Sequence, residues 1–172
     1  MTQLVLTAVG DDREGLVSAL SQVVAEHGGN WLDSQFSRLA GKFAGIVLVD
    51  LPAEQVAAFT DAAGALRDRI GWKVEATPAG TGGGEGHEVQ VHLVGLDRPG
   101  TVRQVTEALA AHHVSIRTFR SWTHPAPQGG GLLFEAEAVV TLPDGLPVEV
   151  VRQALEPIAD ELMVDLDLAD AG

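Results

Sequence analysis

Cysteine is absent from the 172 residues, which excludes disulfides, thiolate zinc sites and cysteine nucleophiles. Positive charge is scarce: 11 Lys and Arg stand against 24 Asp and Glu, for a net charge of −13. Such a surface repels phosphate backbones and anionic lipid, so the sequence predicts no direct nucleic-acid partner and no membrane partner. Aromatic residues make up only 5%. Trp31, Trp72 and Trp122 are read as packing or interface residues, too few in so acidic a chain for base stacking. No run of about 18 apolar residues exists to span a bilayer. The first residues already form a strand pattern rather than a signal peptide, so the expected location is cytoplasmic.

Catalytic signatures are missing as well. There is no G-x-S-x-G elbow, no P-loop and no G-x-G-x-x-G after a strand. The histidines at 27, 87, 92, 112, 113 and 124 form no His-x-x-x-His pair, and no metal site or cofactor is predicted. His27 and His112 fall at helix C-termini, where a cation suits the dipole.

What is present is a repeat. Gly10-Asp11-Asp12-Arg13-Glu14-Gly15 recurs as Gly95-Leu96-Asp97-Arg98-Pro99-Gly100, and residues 9–27 match residues 94–112 at 8 of 19 positions. A repeat of this length implies a duplicated domain rather than a short-unit solenoid. Glycine-rich residues 79–87 read as a flexible linker between domains at 1–78 and 88–172.

Each copy reads as strand, helix, strand, strand, helix, strand. In the first, a strand over 4–9 leads to a helix over 15–26 with Leu16, Leu20, Val23, Val24 and His27 on one face. Gly28 and Gly29 end it. Strands follow over 31–39 and 43–51, joined by a hairpin at 40–42. The second of these is almost wholly apolar, which predicts an interior strand buried on both faces or nearly so. Pro52 opens a helix with Val56, Phe59, Ala63, Leu66 and Ile70 on one face, and 72–76 closes the unit. The second copy has strands over 89–96, 114–123, 132–142 and 164–168. Its first helix carries Val102, Val105 and Leu109. The helix after Pro147 carries Val151, Leu155, Ile158 and Leu162. A longer, looser hairpin spans 124–131. The β-α-β-β-α-β order predicts α+β architecture: two tandem ferredoxin-like units, each an antiparallel sheet with helices on one face.

The strand-to-helix loop is the candidate site. Gly15 or Gly100 lets a group approach the backbone closely, and the helix N-terminus behind it suits a carboxylate. The alternative is a tight turn in which Asp12 and Asp97 cap the helix and no ligand binds. Arg13 and Arg98 hold matching positions, either on an anion or in solvent. Asn30, at the start of the second strand, offers an amide donor and acceptor, or is a turn residue after Gly28-Gly29. Ser115 stands at the matching place.

Asp97-Arg98-Pro99-Gly100-Thr101-Val102 with Ala111-His112-His113-Val114-Ser115-Ile116 resembles the signature of an ACT domain. Asp12-Arg13-Glu14-Gly15-Leu16-Val17 with Ala25-Glu26-His27-Gly28-Gly29-Asn30 resembles it equally. Two such domains with nothing else resemble the glycine cleavage system transcriptional repressor group. That resemblance implies a non-enzymatic regulatory protein that senses a small amino acid, with glycine one candidate, at ACT–ACT interfaces. It also implies a protein partner such as a transcription regulator, and self-association into a homo-oligomer. It nominates Asp12, Arg13, Gly15 and Asn30 in one copy and Asp97, Arg98, Gly100 and Ser115 in the other. Ser115 replaces the usual Asn, and Glu14 replaces the proline seen at Pro99. The rival readings are a ligand-free interaction scaffold and a small hydrolase, since ferredoxin-like sheets host both.

Overall fold

Strands of alternating burial lay one apolar face of each sheet under a single layer of helices. The computed structural model describes residues 1–81, 86–162 and 164–171, with the side chains of Gln128, Leu162 and residues 164–166 left aside. The chain divides into two compact units, Met1–Gly82 and Gly83–Gly172. Of the expected linker, residues 82–85 lie outside the described residues.

Unit 1 runs β1 (Thr2–Asp11), α1 (Leu16–Glu26), β2 (Asn30–Leu39), β3 (Lys42–Leu51), α2 (Val56–Gly64), α3 (Leu66–Ile70) and β4 (Trp72–Pro78). Its antiparallel sheet has the order β2-β3-β1-β4. Unit 2 runs β5 (His87–Leu96), α4 (Thr101–Ala111), β6 (Ser115–Pro125), β7 (Leu132–Leu142), α5 (Val148–Leu162) and β8 (Val164–Asp170). Its sheet has the equivalent order β6-β7-β5-β8. Each unit is therefore the expected ferredoxin-like α+β fold, with β3 and β7 in sheet interiors. The register carries the repeat down to irregularities: β2 bulges between Trp31 and Asp33, and β6 between Ile116 and Thr118.

The unit 1 core joins Leu4, Leu6, Leu20, Val47, Val49, Phe59, Leu66 and Trp72. The unit 2 core joins Val89, Val91, Leu109, Val140, Leu142, Val151 and Leu155. Gly10 is required inside β1, because a Cβ there would lie 2.7 Å from the Gly71 carbonyl and 2.8 Å from Trp72.

Three details depart from the sequence reading. β3 is not buried on both faces: Val47, Val49 and Leu51 point to the core while Ile46 is 49% exposed, so the helix-free face is open. The helix after Pro52 is not continuous. A 3-10 turn over Ala53–Gln55 precedes α2, and Ala65 separates α2 from α3; Gly64 beside the break weakens helix by about 1 kcal/mol relative to alanine. Val102 is 41% exposed, and buried Thr101 takes its place on the inner face of α4. The 124–131 hairpin is longer than its counterpart, as the sequence suggested: six residues separate the Pro125–Leu132 pair, against two between Leu39 and Lys42. β6 continues to Pro125, a 3-10 turn spans Pro127–Gly129, and the Ala126 amide donates to Gly131. The expected core contribution of Leu162 lies outside the described side chains.

Candidate ligand-binding site

The two strand-to-helix loops have one backbone design. The Asp12 amide donates to Gly41 O, and the Asp97 amide to Leu132 O, each at 2.9 Å. Each loop ends on a glycine in the left-handed region, Gly15 at φ 82° and Gly100 at φ 92°. Those glycines accept the first helical bonds, from Ala19 and Gln104. Nothing lies within 4 Å of where a Cβ would sit on either one. Neither α1 nor α4 has a side-chain cap, and neither has an acidic residue in its first turn. The aspartate caps weighed from sequence are thus absent. Two helix N-termini end at open space behind a glycine, and such termini favour anionic groups.

Asp12 instead pairs with Arg38 Nε at 2.7 Å, tying the loop to β2. Non-local pairing hid Arg38 from sequence reasoning. Thr123 holds the equivalent register position in unit 2, and Asp97 makes no ion pair among the described residues. There Thr101 fastens the loop, its hydroxyl donating to Arg98 O at 3.1 Å. Beside the first loop, Lys42 hydrogen-bonds Asp11 and holds that carboxyl below the usual aspartate range. Arg13 and Arg98 are exposed.

Asn30 is not part of this constellation within its own unit. It pairs in register with Asp50, which faces Gln3, whereas the loop follows Asp11, which faces Lys42. Eight strand residues separate those levels, so Asn30 and the Gly15 loop lie about 25 Å apart at opposite ends of the sheet. Helix α1 carries the chain from one end to the other, and that length was the available signal. Ser115 sits equivalently beside Thr141 in unit 2. Asp50 was missed from sequence: its Oδ1 is buried with no hydrogen-bond partner among the described residues. Asn30 and Asp50 thus form a second polar cluster, at the far end.

A family model described as the ACT domain matches residues 2–76. The UPF0237 protein MK1213 of Methanopyrus kandleri is 39% identical over 70 residues, which cover 41% of this chain and 72% of that protein. The chain belongs to the ACT-domain family. A second UPF0237 protein, MJ1558 of Methanocaldococcus jannaschii, is 38% identical over 56 residues, 33% of this chain and 62% of that one. Among solved structures, an unknown protein of Galdieria sulphuraria matches with TM-score 0.88 and 29% identity over 99% of both chains. A candidate glycine cleavage system transcriptional repressor matches with TM-score 0.74 over 98% of both chains; at 17% identity this likeness is one of fold. The family model covers unit 1, and unit 2 repeats the ACT topology and register.

Among the described residues, no group of three or more His, Asp or Glu side chains converges to hold a metal. No described helix is long and apolar enough to cross a membrane.

Proposed function

We propose that this ACT protein is a non-enzymatic regulatory module that binds a small amino acid through the Gly15 loop. The observation that carries the reading is the uncapped α1 N-terminus, open in front of Gly15, with the loop tied down by the Asp12–Arg38 ion pair. A ligand carboxylate would accept hydrogen bonds from the first-turn amides. Asn30 and the unpartnered Asp50 oxygen supply acceptors for an ammonium group. Because they lie at the far end of the sheet, they would read the same ligand only when contributed by a different ACT unit from the loop. Gly100 offers a second, weaker site, with Asp97 and Arg98 beside it and Ser115 and Thr141 in place of Asn30 and Asp50.

Glycine is the first ligand to test, and the output would pass through a protein partner such as a transcription regulator in the cytoplasm. A bound amino acid shifts this module only by its differential affinity for two arrangements. A thermal-shift screen of the amino acids tests the reading. A ligand at one hundred times its Kd stabilises the folded state by about 2.7 kcal/mol, which raises Tm by several degrees in a unit this small. A screen in which no amino acid shifts Tm rejects the reading and leaves the scaffold alternative.

A further inference from the structure

On the helix-free face of the unit 2 sheet, four residues stand in one row across the strands. Arg120 of β6 pairs in register with Glu137 of β7, Glu137 with His92 of β5, and His92 with Asp167 of β8. Their strand neighbours Val91, Leu93, Ala136, Ala138 and Leu168 are buried on the opposite, core side. Among the described side chains, the other charged groups of this face are spent on one another. Glu135 bonds His92 at 2.8 Å and His124 at 3.1 Å, and Glu88 pairs with Arg117. Arg120, Glu137 and Asp167 make no ion pair among the described residues; Arg120 holds its guanidinium 4.9 Å over the Trp122 ring rather than closing on Glu137. A depression of about 620 Å³ lies over the row, lined by all four residues together with Gln90 and Thr118. The same row in unit 1 reads Gln35, Ile46, Thr7 and Glu75, so the fold does not itself demand these charges.

We propose that this row binds a diamino acid, a molecule with one carboxylate and two ammonium groups, of which lysine is the simplest probe. The row offers one cation and two anions, and that ligand offers the complement: carboxylate on Arg120, α-ammonium on Glu137, side-chain ammonium on Asp167. Arg120 and Glu137 face each other across about 5 Å, close enough for the adjoining carboxylate and ammonium of one amino acid to meet both. Strands about 4.8 Å apart put Asp167 about 10 Å beyond Glu137, a gap that lysine's four-carbon stem and the two acidic side chains span together. A guanidinium–carboxylate contact is of the strong, geometrically specific kind, and the Trp122 ring holds the guanidinium in place to make it. The chain's net charge of −13 favours the arrival of a ligand of net positive charge. The row is open to water, which screens each contact, so the complex is weak and reversible. It is a different site from the Gly15 loop and stands independently of that reading.

Amide chemical shifts of the isotope-labelled full chain, titrated with lysine, test it. Lysine shifts the amides of Gln90, Thr118 and Val139, which line the depression, and the shifts saturate. Norleucine, which lacks the side-chain ammonium, and cadaverine, which lacks the carboxylate, each bind at least about tenfold more weakly. Asp167→Asn weakens lysine at least about tenfold and leaves norleucine unchanged. Arg120→Gln weakens lysine and leaves cadaverine unchanged. Both side chains are exposed, so the variants fold. The absence of a saturable shift along the row overturns the proposal, and shifts confined to residues 12–19 do so while leaving the Gly15 reading in place. Cadaverine binding as tightly as lysine overturns it too, because a general attraction of cations to an acidic chain then suffices. So does an Asp167→Asn chain that binds lysine as the wild type does.

Discussion

Gly15 is the residue on which the proposed site depends. Its φ of 82° lies where a β-branched residue is strained, and the space before it is open. Gly15→Val therefore both strains the loop and fills the space in front of α1, while Gly15→Asn, which tolerates this conformation better, separates strain from occlusion. Asn30→Ala is expected to remove about 1–3 kcal/mol of binding where it strands a ligand group, read by titration against the wild type. Arg38→Ala should leave stability within about 1 kcal/mol, because Arg38 is 71% exposed, yet weaken ligand binding by freeing the loop. Equal Tm with unchanged affinity would dismiss Arg38 as a positioning residue. In unit 2, Glu135 accepts hydrogen bonds from His92 at 2.8 Å and His124 at 3.1 Å. The His92 bond, more than the charge beside it, holds the Glu135 carboxyl below the usual glutamate range. A depressed folded pKa gives stability that is present above the unfolded value, about 4.3, and lost as pH falls through the folded one. Glu135→Gln should therefore flatten the acid limb of a stability-versus-pH curve; an unchanged limb would assign the slope to other carboxylates.

Among the elements, the strands and first helices were legible because their apolar periods are unbroken and glycine marks their ends. Gly28 and Gly71 both take positive φ just past helices. Less legible was whatever depends on a partner distant in sequence. Continuous apolar character in 43–51 reads equally as two-face burial or as one core face plus one apolar open face, and period alone cannot separate them. Val102 looked like a core position because helical spacing fixes the stripe only to within a residue; Thr101 won by spending its hydroxyl on Arg98 O. The consequence is measurable by urea denaturation. Val102→Ala should change stability by less than about 0.5 kcal/mol, whereas Leu109→Ala, 3% exposed on the same helix, should cost about 2–5 kcal/mol. Equal losses would restore the sequence-based stripe.

At the scale of the whole molecule, duplication has produced two ACT units with the same register and different chemistry. Asn30, Asp50 and Arg38 in one copy stand where Ser115, Thr141 and Thr123 stand in the other. The loop motif was readable in both copies, since glycine and a helix start are local. Asn30's remoteness from the Gly15 loop was not, although the 11 residues of α1 between them span about 16 Å. The measurement that bears most directly on the account is isothermal titration calorimetry of the full chain and its Gly15→Val variant with glycine and serine. The account predicts saturable binding of at least one of them to the wild type, weakened at least about tenfold in a variant whose circular dichroism is unchanged. No binding of either to the wild type, or equal affinity in the folded variant, would contradict it.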